Sequence, residues 1–344
     1  VVQAGLPLLL LSIWIIVGSL YARKIGVNST FLIVGLYMLF AFMTARVIMI
    51  SNSRETLIHV YLTTAALFSA FMIIRMIFPF GGVAVNYHEM EALIVPLAVY
   101  YALKPAGNRH WQAALVLFFL LGGLVFRKNT GFIVLFFTLA YIWFAEWQSR
   151  FRESQSFRLW TATWVMLILV AGIAAAGYIA AQRDDVMPSG NTYYRMLTYE
   201  KAWQRFLDSP LIGTGFVGAA AEKFTGYEIN AAKGVLATHS DILDMAAHGG
   251  TLAILLWLWG YVRIARTSFK HVLRGQPRTR LRAAAHTFAC MSFTSIFVYA
   301  FNPILLQPAR SLLMWSQLGM LLGIALYLAH LAAHEPSKGD QHAN

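Results

Sequence analysis

The chain of 344 residues is 58% hydrophobic and only 12% charged, with 24 phenylalanines, more apolar surface than a soluble core of this length can bury. Its formal net charge of +12 sits in interhelical loops and at helix ends, which excludes a basic domain able to hold nucleic acid and points to membrane lipids as the anionic partner. The lone cysteine, Cys290, excludes an internal disulfide framework and a cysteine-based metal site.

Apolar runs of about 18 to 24 residues recur, each long enough to cross a ~30 Å hydrocarbon layer as a helix. The predicted fold class is therefore all-α: a polytopic helical membrane protein with about ten transmembrane helices. In chain order the spans are predicted at 4–22, 31–50, 56–79, 87–104, 110–126, 129–147, 160–182, 241–264, 283–301 and 310–333. The first run lacks a small-residue cleavage site and reads as a span, not a signal peptide. The chain starts at Val1, and about twelve spans are expected in a full chain that carries two more at its N-terminus. The domain reading is seven transmembrane helices over 1–182, a periplasmic helical loop over 183–240, three further helices over 241–334 and a polar cytoplasmic tail over 335–344.

Two basic loops set the orientation. One holds Arg150, Arg152 and Arg158, the other Arg266, Lys270, Arg274, Arg278, Arg280 and Arg282; both belong in the cytoplasm by the positive-inside tendency. Counting spans outward places the 80–86 turn, the Arg127-Lys128 turn, the 183–240 loop and the 302–310 turn together on the opposite side.

That opposite side carries the residues suited to chemistry. Arg75 stands about one turn inside the outer end of its span, where burial in lipid would cost roughly 2.5 to 3.5 kcal/mol at full depth, so it is expected to face a polar cavity. Asn86 opens the fourth span. Arg127 and Lys128 form a short outward turn between two spans, against the positive-inside trend, and a guanidinium there can hold phosphate bidentately; snorkelling to lipid phosphate is the plainer alternative. In the long loop a helix from Asn191 to Asp208 bears Arg195 and Arg205, with Met196, Trp203, Phe206 and Leu207 as an incomplete apolar stripe that lays it along the membrane surface. Ser209-Pro210 ends it, and Leu211-Ile212-Gly213-Thr214-Gly215-Phe216 follows as a turn whose apolar residues can tuck into the bundle.

The loop closes on Thr238-His239-Ser240-Asp241. A neutral imidazole at a water-membrane boundary can accept a hydroxyl proton near neutral pH, which makes His239 the candidate general base. Ser240 and Asp241 are suitable helix caps. Either Asp241 or Asp244 could orient the imidazole. His248, Gly249 and Gly250 lie deeper on the same helix, where the glycines permit close packing. No metal site is expected: His239 and His248 are nine apart and lack the i, i+4 relation of helical ligands.

These features together resemble the bacterial O-antigen ligase and polymerase superfamily, most nearly the ligases. The likeness covers about residues 80–265 and rests on Asn86, the Arg127 to Gly131 turn, the Arg195 helix leading into Pro210-Leu211-Ile212-Gly213-Thr214-Gly215, and His239-Ser240 with Gly249-Gly250. The family's histidine motif ends on a small or hydroxyl residue three places past the glycine; this chain has Ala253 there, or Leu252 if Gly249 is counted. The resemblance implies a functional histidine at His239 and functional arginines at Arg127 and Arg195, with no cofactor or metal.

The expected activity is then inverting, metal-independent transfer of a glycan from undecaprenyl diphosphate to a lipid A-core hydroxyl, on the periplasmic side of the bacterial inner membrane. Arg127 and Arg195, assisted by Lys128 or Arg75, would bind the diphosphate, with Asn86, Asp241 and Asp244 in support. A polymerase using a lipid-linked glycan acceptor is the neighbouring reading. A transporter is the rival from another class; it predicts paired half-chain repeats and helices broken near the midplane, neither of which the sequence displays.

Overall fold

The computed structural model describes residues 2–21, 29–78, 90–105, 108–125, 129–151, 191–216, 226–230, 234–273, 279–305 and 307–334. The span expected at 160–182, the 80–86 turn and the tail lie outside the described residues.

The helices follow the hydropathy pattern: α1 Val2–Tyr21, α2 Ser29–Ile50, α3 Arg54–Ile77, α4 Glu91–Ile94, α5 Leu97–Leu103, α6 Arg109–Val125, α7 Asn129–Phe151, α8 Asn191–Asp208, α9 Asp241–Ser268, α10 Arg280–Phe301 and α11 Pro308–His334. Among the described residues, Arg54–Ile77, Asp241–Val272, Arg280–Phe301 and Ala309–His334 are each long and apolar enough to cross a membrane, and five shorter apolar helices accompany them. The chain is an all-α, multi-pass membrane protein. Large apolar side chains such as Met43, Leu67, Phe71, Leu117 and Leu258 point outward, as they can where lipid is the solvent.

Packing inside the bundle depends on small residues as well as large ones. Trp315 and Tyr299 are fully buried, and Trp257 meets Tyr299 edge-on at 5.3 Å. Along α11, Gly319 and Gly323 stand one turn apart on the face against α2; a Cβ on them would lie 2.4 Å from the Ala41 carbonyl oxygen and 2.8 Å from that of Ala45. Small residues at i and i+4 allow helix backbones to approach this closely when apolar solvent offers no other drive to associate.

Two of the spans differ from the continuous helices expected. The fourth is divided: α4 stops at Ile94, and α5 begins after Val95-Pro96. Proline lacks the N–H that an unbroken helix needs, and tight bonds from Ala98 N to Val95 O and from Val99 N to Pro96 O close the gap. α9 is interrupted at Gly250, whose φ of 68° and ψ of −171° lie far from helical values.

The loop before α9 also holds a hairpin where only helix and turn were expected. Strand β1, Gly226–Asn230, pairs antiparallel with β2, Gly234–Ala237. Gly226 faces Ala237, Tyr227 faces Leu236 and Glu228 faces Val235, and a bulge precedes the Asn230–Gly234 pair. Both strands pack on α8.

Contacts between elements define the two ends of the bundle. At one end Asp241, which opens α9, meets Ile304 and Leu305 between α10 and α11. At the other, the start of α3 and the end of α5 meet Arg280 at the start of α10, and the Arg54 guanidinium lies 3.7 Å from the Tyr327 ring centroid. Arg75, in the last turn of α3, therefore belongs to the His239 end.

Candidate functional site

His239 occupies the corner where β2 gives way to α9. Its φ of 56° makes it the one non-glycine with positive φ among the described residues, a left-handed conformation in which histidine, asparagine and aspartate are several-fold enriched. Ser240 follows in extended conformation and caps α9, its hydroxyl accepting from Leu243 N at 3.3 Å. The imidazole is half-buried.

Two fully buried aspartates hold the corner in place. Asp241 Oδ2 accepts from Ile304 N at 2.6 Å and Leu305 N at 3.0 Å, so it fastens the helix start to the α10–α11 turn. Asp244 Oδ1 accepts from the Thr238 hydroxyl at 2.6 Å, so it holds the residue immediately before His239. Neither contact is with the imidazole. Thr238→Val is expected to destabilise the protein by about 1 to 3 kcal/mol, the usual cost of leaving a buried polar group unsatisfied, while Thr238→Ser stays near wild type. Thermal unfolding in detergent checks both.

Arg195 reaches the same neighbourhood from α8. Its Nε is buried and makes no hydrogen bond among the described residues. One turn on, the Tyr199 phenol is pushed above its ordinary range by burial; the Arg195 charge pulls it back and the Asp244 charge raises it further. Tyr199 therefore lies within electrostatic reach of both, and Arg205 within reach of Asp244. The helix lies with Thr198 and Ala202 buried, while Trp203 and Leu207 are about half exposed. Together with exposed Leu211 and Ile212 they form the apolar outer edge suited to lying at a membrane surface.

The Gly250 break joins the α8 region to α9. Where the helix ends, Ala247 O and His248 O accept from Thr214 N at 3.1 Å and Gly215 N at 3.0 Å, and Gly249 O accepts from Trp14 Nε1 at 3.1 Å. Where it restarts, Thr251 N and Leu252 N donate to Pro210 O at 2.8 Å and Leu211 O at 3.1 Å. Each of these backbone groups is satisfied by protein, the condition on which irregular backbone is tolerated at membrane depth. His248 Nδ1 donates to Gly215 O at 2.8 Å, and the Phe216 ring stacks on His248 at 6.3 Å. Arg205 Nε donates to Thr214 Oγ1 at 2.7 Å, and that hydroxyl donates to Ala247 O at 3.2 Å. The turn expected to tuck into the bundle does so, as a plug for a broken helix.

Of the residues singled out from the sequence, His239, Asp241, Asp244, Arg195 and Arg75 are described; the structure brings the first four to one region. Arg75 is half-buried at the same end. Asn86, Arg127 and Lys128 lie outside the described residues. Sequence reasoning missed Tyr199 and the Thr238–Asp244 pairing, and it missed Glu91, fully buried at the start of α4. Tyr199 was open to discovery, being one helical turn from Arg195. Among the described residues no group of three or more His, Cys, Asp or Glu side chains could hold a metal ion.

The fold and this region define a multi-pass helical membrane protein with a polar, partly buried cluster at one end of its bundle. Residues 113–258 match the family model described as O-Antigen ligase, a segment running from α6 past His239 and the Gly250 break. Over those 146 residues, fewer than half of the 344, the chain is similar to that family. No curated protein matches the chain.

Proposed function

We propose that the protein transfers a glycan from undecaprenyl diphosphate to a lipid A-core hydroxyl at the periplasmic face of the bacterial inner membrane. The observation that carries this reading is the junction of α8 with α9: the two helices pack together, the buried Nε of Arg195 on α8 makes no hydrogen bond among the described residues, and Asp244 on α9 holds the threonine beside His239. The two elements carry the groups this chemistry needs, a cation on α8 and an imidazole at the start of α9, which supports the reading.

In this mechanism His239 accepts the proton of the acceptor hydroxyl as its oxygen attacks the anomeric carbon. The bond from that carbon to the diphosphate oxygen breaks, and undecaprenyl diphosphate departs with the electron pair. Attack opposite the leaving group inverts the anomeric centre. Arg195 and Arg127, with Lys128 or Arg75 assisting, stabilise the charge that grows on the diphosphate, the kind of electrostatic stabilisation that lowers a barrier most. Asn86 and the two aspartates support the site, Asp244 through Thr238. The cleavage supplies its own driving force, so no cofactor takes part.

Arg195→Ala is expected to lower transfer by about 10² to 10³-fold, the usual effect of removing one stabilising donor, in protein that remains folded and membrane-inserted. Arg195→Lys retains the charge but not the fork, and part of the activity. Near-normal transfer by purified Arg195→Ala protein would remove this arginine from the mechanism. Supplying lipid-linked glycan alone, then with lipid A-core, separates the two family activities; chain growth without the core would favour the polymerase.

The helix breaks at Val95-Pro96 and Gly250 are what a transporter would have led one to seek. Both are closed by the protein's own backbone and side chains, whereas cargo sites at broken helices use exposed helix ends and unwound carbonyls. This favours the enzyme.

A further inference from the structure

At the end of the bundle opposite His239, α3, α5 and α10 enclose a cavity of about 240 Å³ lined by Glu55, Thr56, His59, Tyr100, Arg280 and Leu281. Lys104 stands beside it, its ammonium 4.7 Å from the Tyr101 ring centroid and 5.7 Å from that of Tyr100. Burial lowers the lysine's pKa, and the charge of Arg280 lowers it further. Two cations held this near disfavour one another. Among the described residues neither closes an ion pair, and Glu55, though it lines the cavity, is bonded to neither. Arg280 in the hollow and Lys104 beside it stand against the single carboxylate of Glu55, so the net charge there is positive.

We infer that this cavity binds the phosphate of an anionic phospholipid headgroup, with Arg280 and Lys104 as its cationic partners and the acyl chains lying along α3. The surroundings favour a lipid over a soluble anion. Leu57 and Val60 on α3 are exposed beside the cavity-lining residues of that helix, and Trp111 on α6 is exposed near the same end. A tyrosine pair at a span's end, an exposed tryptophan and basic side chains are the usual furniture of a membrane-water interface. His59, one turn from Glu55 on α3, offers the headgroup a further polar contact. The site lies away from the proposed transfer chemistry and does not depend on it.

Native mass spectrometry of the purified full chain, equilibrated with phosphatidylglycerol or phosphatidylcholine, tests the inference. The wild type is expected to retain phosphatidylglycerol in preference to phosphatidylcholine. Lys104→Gln or Arg280→Gln should weaken retention roughly fivefold each and the double variant about thirtyfold, the contribution expected of cations beside an anionic leaflet. The charge-keeping pair Lys104→Arg with Arg280→Lys should retain the lipid, and Arg109→Gln, which alters a cation that does not line the cavity, should leave retention unchanged. Equal retention of the two lipids, undiminished binding in the double variant, or displacement of the lipid by excess inorganic phosphate would each overturn the inference. Size-exclusion profiles and helical content establish that the variants are folded, and the single variants provide the reading if the double variant is not.

Discussion

His239→Asn is expected to lower glycan transfer by about 10² to 10⁴-fold, the usual contribution of a general base, with little change in thermal stability. The choice of asparagine matters because the residue has a φ of 56°. Alanine at that position would add roughly 1 to 2 kcal/mol of left-handed strain and confuse loss of a base with loss of the corner. Asparagine tolerates the conformation and does not accept a proton near neutral pH. His239→Gly relaxes the backbone as well and opens space, so added imidazole should restore part of its activity. Steady-state transfer with purified protein decides the matter: His239→Asn within about twofold of wild type would exclude the general-base role.

The second large effect is expected from Gly213→Ala, which leaves every proposed catalytic side chain in place. Gly213 has a φ of 75°, and a Cβ on it would lie 2.2 Å from the His248 carbonyl oxygen. Backbone, unlike a side-chain tip, cannot swing aside, so the plug must withdraw from the break in α9. The loss comprises roughly 1 to 2 kcal/mol of backbone strain and about 1 to 3 kcal/mol for each buried backbone group left unsatisfied. Transfer should fall as well, because the outer segment of α9, Asp241 to Gly249, is fastened to the α8 region through that plug. Leu258→Ala alters an exposed residue of the same helix beyond the break and should do little to either property. A Gly213→Ala protein with wild-type melting and activity would mean that the plug is not needed to hold the site.

Much of the fold was legible in the sequence because each span is its own signal. A run such as Arg54–Ile77 is apolar along its whole length, and its helical backbone bonds are local, so neither feature requires a distant partner. The helix Asn191–Asp208 and its stop at Ser209-Pro210 were equally visible in stripe and breaker. The divided fourth span was half visible: Pro96 stands in its middle, yet a proline in a membrane helix produces a kink as readily as a break, and neighbours decide which.

For the site, composition identified the residue types but not their partners. Asp241 and Asp244 were both candidates to orient His239, from proximity along the helix. Instead Asp241 reaches the amides of Ile304 and Leu305, and Asp244 takes the Thr238 hydroxyl. No propensity or spacing rule pairs these groups. Gly250 looked like a packing glycine because the groups that make a break tolerable there come from Pro210 to Gly215 and from Trp14.

By itself the sequence determined that this is a helical membrane protein, where its described helices begin and end to within a few residues, and that Arg75, Asp241 and Asp244 stand toward the His239 end. These follow from the cost of carrying charge and unpaired backbone into hydrocarbon, a cost paid residue by residue. Only the tertiary structure decided that α9 breaks, that a segment of the preceding loop fills the gap, and that Asp244 fastens the residue before His239 while α8 packs alongside. Those outcomes depend on directional hydrogen bonds and close packing between residues as far apart as Asp241 and Ile304, and the chain must fold before such partners can meet.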